Sequence, residues 1–252
     1  MNDHHMDDHH MDDHQTNDEM PVAIIAGSGG AGMACALAFA AAGYSVVTLD
    51  ARAEAARTAA DVVEAAGGQA DAFGVDLLDT EAVCRLRQVI LDRHGRVDVV
   101  VHLVGGWRGT RTLDLDSVAN WQALNPPIVG TLAVLTAVFG PDVRDSPIGR
   151  AFMITSTAAS APTAGNIAYA AAKAAAEAWM GGVSHFLHDS KAASVVIAVK
   201  ALLTEQMRAE QPDRDWTGYT HVNDLAAAIL LASTGPARNG SRIDLTRGYS
   251  KT

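Results

Sequence analysis

From Pro21 onward, short runs of β-branched and aliphatic residues alternate with longer alanine-rich stretches, and few folds accept that alternation. VAIIA (22–26), SVVTLD (45–50), AFGVDL (72–77), RVDVVVHLVGG (96–106), AFMITS (151–156), ASVVIAV (193–199) and SRIDL (241–245) predict strands. Between them, GMACALAFAAAG (32–43) predicts a helix ended by Gly43, ARAEAARTAADVVEAAGG (51–68) a second, and the stretch reaching about His94 a third. The strand runs are continuously apolar rather than alternating, as a parallel sheet covered on both faces requires. Strand–helix repetition then implies right-handed crossovers. The expected fold is α/β: a single-domain, Rossmann-type, doubly wound parallel sheet of about seven strands with helices on both faces.

No linker-like break follows residue 21, so residues 21–252 are expected to form one domain with a sizeable core, 48% of the chain being apolar. The first twenty residues differ. They hold six Asp, one Glu and five His with no Lys or Arg, and repeat HHMDD. Such a segment buries no core and is expected to be disordered. It is assigned no metal, because a flexible tail lacks the groups that orient ligands. A formal net charge of −10 argues against nucleic acid or anionic membrane as partner. No apolar run looks long enough for a membrane span, and no secretory leader is visible. The cysteines, Cys35 and Cys84, fall in different helical stretches, which fits a reducing cytoplasm.

The turn after the first strand contains G-x-G-x-x-G as Gly27, Gly29 and Gly32, with Ser28 and Gly30 between them. A tight glycine turn at a helix N-terminus offers free backbone N–H groups and the positive helix end to a pyrophosphate. The second strand ends at Asp50, eighteen residues after Gly32. A carboxylate there accepts both hydroxyls of an adenosine ribose and repels a 2′-phosphate. The reading is a dinucleotide site that prefers NADH to NADPH.

Residues 156–173, STAASAPTAGNIAYAAAK, set Ser156, Tyr169 and Lys173 among small residues. Tyr169 and Lys173 are four apart in helix-forming sequence and share a face. An ammonium one turn away is expected to lower the phenol pKa from about 10 toward the useful range. Ser156, at a strand end, can hydrogen-bond a substrate oxygen beside the tyrosine. In WQALNPPIVG, Pro126 and Pro127 lack N–H groups, so a helix over 116–139 is expected to kink at Asn125 and free a carbonyl there.

With these residues in place, the chain from about residue 21 onward resembles the short-chain dehydrogenase/reductase family. Its Thr-Gly-x-x-x-Gly-x-Gly motif falls on Ile25 to Gly32, with Gly30 and Gly32 kept and Ala26 at the first glycine. Ser156, Tyr169 and Lys173 match the family's catalytic serine, tyrosine and lysine, and Asn125 the asparagine that completes the tetrad. The resemblance implies cofactor contacts at Gly27, Ser28, Gly29, Gly30, Gly32, Asp50, Asp76, Leu77, His102, Gly105, Tyr169, Lys173, Leu202 and Thr204. His102-Leu103-Val104-Gly105 replaces the family's Asn-Asn-Ala-Gly, and Val199-Lys200 replaces its Pro-Gly beside the nicotinamide. It also implies a homodimer or homotetramer built through the helices carrying Asn125 and Tyr169.

Short segments, VGGW (104–107), VIAVKALLTEQM (196–207) and RDWTGYTHVNDL (214–225), resemble the dihydropteridine reductase branch, which however lacks the serine found here as Ser156. Trp107, Arg108 and Trp216 are the candidates for the substrate end. The implied activity is hydride transfer between NAD(H) and a carbonyl, alcohol or imine-type group of a small or medium molecule. Alternatives are a quinonoid dihydropteridine reductase-like activity, or a non-enzymatic NAD(H)-sensing or scaffold role.

Overall fold

The computed structural model describes residues 20–247; the Asp/His-rich stretch over residues 1–19 lies outside them. Seven parallel strands form the main sheet in the order β3-β2-β1-β4-β5-β6-β9. They are β1 (Val22–Ala26), β2 (Ser45–Asp50), β3 (Gln69–Gly74), β4 (Val99–His102), β5 (Arg150–Ser156), β6 (Ala193–Val199) and β9 (Ser241–Asp244). Strand order reverses between β1 and β4, which opens a crevice at the carboxyl ends of the strands. The helices are α1 (Gly30–Ala41), α2 (Ala53–Ala65), α3 (Thr80–His94), α4 (Leu115–Asn125), α5 (Thr131–Asp145), α6 (Ile167–Phe186), α7 (Glu205–Glu210) and α8 (Val222–Thr234). A separate ribbon pairs β7 (Leu202–Leu203) with β8 (Thr220–His221).

The continuous apolar strands resolve into two faces by their period of two. In β1, Val22, Ile24 and Ala26 enter one core with Leu132, Leu135 and Phe139 of α5 and Ala172 and Ala176 of α6. Ala23 and Ile25 enter the other, with Cys35 and Phe39 of α1 and Leu225 and Ile229 of α8. Each fully buried Val, Leu, Ile or Phe side chain among these contributes roughly 1.5–3 kcal/mol over exposure.

One strand boundary needs correction. β3 runs over Gln69–Gly74 rather than 72–77. It is an edge strand, half-buried, so apolarity does not mark it; Val75 and Leu77 are buried in the loop beyond it. At the paired prolines, where the sequence predicts a kink, the chain stays helical. Asn125 and Pro126 keep right-handed helical dihedrals, and residues Pro126–Gly130 form a π-turn between α4 and α5. Widening the turn accommodates rings that lack N–H groups. The 31-residue helix so formed, Leu115–Asp145, is long and apolar enough to cross a bilayer, contrary to the sequence reading. Ile128, Leu132, Leu135 and Phe139 on it are instead buried in the core of the fold.

At the opposite, amino end of the sheet, Asp98 is fully buried. It accepts hydrogen bonds from Val22 N (2.8 Å), Ser146 Oγ (2.6 Å) and, in fork geometry, Arg96 Nε and Nη2 (2.8 and 2.7 Å). This network joins the starts of β1 and β4 to the end of α5. Asp98→Ala removes the acceptor shared by a buried backbone N–H, a hydroxyl and a guanidinium, and is expected to cost about 3–5 kcal/mol in urea unfolding. A loss below about 1 kcal/mol would show that the network carries no load.

Candidate active site

The glycine turn forms the first half of the crevice. Gly27 sits at φ +102°, a region open to glycine, and donates to Leu49 O at 2.8 Å. At Gly32 a Cβ would stand 1.8 Å from Gly27 O, so only glycine lets α1 begin this close to the turn. Gly29, the residue before α1, is extended and gives no side-chain cap, so the first N–H groups of α1 have no side-chain partner there. Ser28 Oγ is buried with no hydrogen-bond partner among the described residues.

Asp50 closes this half. Its Oδ2 accepts from Ser28 N and its Oδ1 from Arg52 N, both at 3.0 Å. Gly27, Ser28, Gly29, Gly32, Asp50, Asp76, Leu77 and Gly105 line one cavity of about 360 Å³. Thr204 packs over Gly30, where an added Cβ would lie 2.7 Å from its Cγ2, and caps α7 through Met207 N (3.2 Å). The unpartnered serine, the exposed helix start and the carboxylate at the strand end fit the phosphates and ribose of a dinucleotide.

A second cavity of about 760 Å³ shares Ala31, Leu103, Val104 and Gly105 with the first. It brings together Ser156, Tyr169, Lys173, His102, Leu202 and Trp107. Ser156 ends β5, is buried, and accepts from Ala158 N at 3.2 Å. Tyr169 and Lys173 rise from one face of α6. Lys173 is buried, and its Nζ donates to Ile154 O on β5 at 2.7 Å. Its Nζ lies 5.9 Å from the Tyr169 ring centroid.

The electrostatics differ from the sequence expectation. Burial raises the Tyr169 pKa above its ordinary value, and the Ser156 hydroxyl pulls the other way less strongly. Lys173 does not bring the phenol down, because its ammonium is turned to Ile154 O. Burial instead pushes the Lys173 pKa down to about 8, against a smaller upward pull from Glu177. Tyr169 is therefore a protonated phenol at neutral pH and Lys173 an ammonium.

His102 is also buried, and burial, with the Lys173 charge adding to it, pushes its pKa down to about 3. Thr131 Oγ1 donates to Pro127 O (2.7 Å), so it accepts from His102 Nε2–H (2.8 Å). The imidazole is thus neutral, with Nδ1 an acceptor. The π-turn supplies both Pro127 and Thr131's setting, a link that spacing alone did not reveal.

Three expected site residues stand elsewhere. Asn125 is half-buried at the end of α4, lines neither cavity, and makes no hydrogen bond to Lys173 among the described residues. Arg108 is exposed outside the large cavity. Trp216 does not line it either: its ring packs edge-on against Tyr219, 5.1 Å between centroids. In its place the wall carries Arg214, Tyr219 and Lys200. Arg214 was not singled out from sequence, since nothing in a polar loop marks one arginine over its neighbours.

A glycine-turn cavity opening onto a serine–tyrosine–lysine cavity at the carboxyl ends of a parallel sheet describes a nicotinamide-dependent oxidoreductase acting on CH–OH and C=O groups. Comparison with known proteins agrees. The short chain dehydrogenase family model matches residues 21–215, and the chain belongs to that family. The 7alpha-hydroxysteroid dehydrogenase of Escherichia coli (strain K12) is 30% identical over 188 residues, 74% of this chain and 73% of the relative. A 3-oxoacyl-acyl-carrier-protein reductase of Synechocystis sp. is 30% identical over 227 residues, 86% of this chain and 90% of the relative.

Among solved structures, a hydroxysteroid dehydrogenase from Escherichia coli superposes with a TM-score of 0.76 at 25% identity, covering 91% of this chain and 96% of that one. A 7 alpha-hydroxysteroid dehydrogenase solved with NADH and 7-oxo glycochenodeoxycholic acid shares the fold, with a TM-score of 0.76 at 24% identity over 92% of this chain and 95% of that one. Sensor and scaffold roles are set aside in favour of an enzyme.

A depressed lysine pKa makes stability rise with pH. Between about pH 8 and about pH 10 the unfolded chain holds the Lys173 proton and the folded one does not, so unfolding becomes costlier by up to about 3 kcal/mol across that window. Urea unfolding of the native protein, compared with Lys173→Met at each pH, is expected to show this difference. A difference independent of pH would contradict the buried-ammonium assignment.

Proposed function

We propose that the protein is an NADH-preferring carbonyl reductase or alcohol dehydrogenase, with Ser156, Tyr169 and Lys173 as its catalytic residues. The observation that carries the reading is the convergence of these three side chains on one cavity that shares a wall with the glycine-turn cavity. Bound there, the nicotinamide supplies or receives the hydride at the substrate carbon. Tyr169, protonated at neutral pH, gives its proton to the carbonyl oxygen as the C=O bond becomes CH–OH. Ser156 Oγ donates to the same oxygen and holds it beside the phenol. Lys173 spends one N–H on Ile154 O and keeps two, which would serve the ribose hydroxyls of the bound cofactor. Oxidation reverses each of these steps.

Gly27, Ser28, Gly29, Gly30 and Gly32 would hold the pyrophosphate, with Ser28 Oγ donating to it; Asp50 the adenosine ribose; Asp76 and Leu77 the adenine; and His102, Gly105, Leu202 and Thr204 the nicotinamide half. Asp50 favours NADH because a 2′-phosphate would face its carboxylate. Arg52, mostly exposed and 3.6 Å from Asp50, tempers that preference. Quinonoid dihydropteridine reduction is a second reading, favoured by the exposed Trp107 ring on the rim of the large cavity. Asn125 would act on the site only through the helix it ends.

Turnover of a panel of ketones, imines and quinonoid pterins with NADH tests the whole reading. Tyr169→Phe is expected to lose at least about 100-fold in kcat while fluorescence titration shows NADH still bound, and bound more tightly than NADPH. Near-normal turnover in Tyr169→Phe, or tighter NADPH binding, would contradict the assignments of Tyr169 and Asp50 respectively.

We also infer a homo-oligomer through the helix that carries Asn125 and continues into α5, together with α6, which carries Tyr169. An apolar groove of about 750 Å³ between them is lined by Val129, Pro141, Val183 and Phe186, beside Trp179, whose indole N–H donates to Thr136 Oγ1 at 2.9 Å. Light scattering after size exclusion is expected to give a dimer or tetramer for the native chain and a monomer for Trp179→Glu. A native monomer would refute it.

A further inference from the structure

Building on the catalytic reading above, we propose that Lys200 and Arg214 form an oxyanion subsite in the large cavity, and that the substrate is an oxo or hydroxy acid whose carboxylate they bind. The chain is acidic overall, at −10, yet the charged side chains lining this cavity are Lys173, Lys200 and Arg214, with no Asp or Glu among the lining residues. Lys173 is turned to Ile154 O, which leaves the other two.

The fold brings this pair together. β7 and β8 pair with Leu202 opposite Thr220, and Thr220 N donates to Ala201 O at 2.9 Å. The residue before each strand therefore stands beside its counterpart. An added Cβ on Gly218 would lie 3.3 Å from Lys200 Cδ and 3.5 Å from its Nζ. Next to Gly218, Tyr219 accepts a hydrogen bond from Arg214 Nη2 at 2.9 Å.

Arg214 is held in place by neutral partners. Its guanidinium lies 4.5 Å from the Trp216 ring centroid and 5.7 Å from that of Tyr219, and Nη1 donates to Gln211 Oε1 at 2.9 Å. These contacts with two aromatic rings hold the exposed guanidinium without neutralising it. Two of its five N–H groups are used, and among the described residues neither Arg214 nor Lys200 has a carboxylate within ion-pairing distance. Asp215, whose carboxyl feels the Lys200 charge, is outside the cavity lining, and its Oδ1 is taken by Thr217 N and Oγ1 at 2.9 and 2.6 Å.

A guanidinium and an ammonium at the open side of the cavity that holds Ser156 and Tyr169 suit a molecule carrying its carboxylate at one end and its C=O at the other.

The test uses straight-chain methyl-ketone acids from 3-oxobutanoate to 7-oxooctanoate, each beside its methyl ester, with NADH and the full chain. The acid at the best length is expected to exceed its ester in kcat/KM, and that ratio to fall about tenfold or more in Arg214→Gln and in Lys200→Gln. NADH affinity, titrated by fluorescence, is expected to change little; a matching loss there would mean the cations serve the cofactor phosphates, and would overturn the proposal. Esters equal to acids in the native enzyme would overturn it while leaving the oxidoreductase reading intact. If no ketone turns over, calorimetric titration of hexanoate against hexanamide into the NADH-loaded protein decides: binding of hexanoate that both variants lose supports the subsite, and no preference for hexanoate refutes it.

Discussion

Across the gap between α6 and β5, the Lys173 ammonium reaches 2.7 Å to the carbonyl oxygen of Ile154. That contact fixes how far α6 can slide along the sheet. Tyr169 lies one turn back on the same helix face and Ser156 two residues on along the same strand, so one hydrogen bond sets the distance between the phenol and the hydroxyl. The charge is costly to bury, which is why the Lys173 pKa falls to about 8. Thr155 reinforces the joint from the next position, its hydroxyl donating to Glu177 of α6 at 2.7 Å. Helix and strand are therefore clamped at two successive turns.

The two ends of the sheet divide the labour. At the amino ends, Asp98 collects donors from β1, Arg96 and Ser146 into a network that lines neither of the two cavities. At the carboxyl ends, polar groups are left with hydrogen-bonding capacity in hand: Ser28 Oγ, two protons of Lys173, three N–H groups of Arg214. Satisfied polar groups give rigidity and unsatisfied ones give recognition.

Much of this was legible in the sequence, and for stated reasons. β1, β2, β5 and β6 are buried on both faces, so their apolar runs fix their limits to within a residue. β3 escaped because an edge strand need not be apolar. The winding at Pro126–Gly130 escaped because spacing forbids a regular helix at paired prolines without saying whether the chain breaks or widens. Tyr169 and Lys173 were placed together by their four-residue spacing, but the sign of the phenol shift was not readable. It depends on where the ammonium points and how much water is excluded. Arg108 and Arg214 look alike in sequence; only the pairing of β7 with β8 turns one toward the cavity.

That small ribbon has a consequence for how such an enzyme changes its substrate. The excursion from Lys200 to Tyr219 leaves the framework after β6 and is stapled shut at its base, with both free cations on it. The serine, the tyrosine and the lysine belong to β5 and α6, outside the excursion. The same contiguous stretch carries Leu202, which lines the large cavity, and Thr204, which packs over Gly30 of the glycine turn. An exchange of this stretch between homologues would therefore recast the two cations and the fit over the glycine turn together, while the serine, tyrosine and lysine stay where β5 and α6 put them.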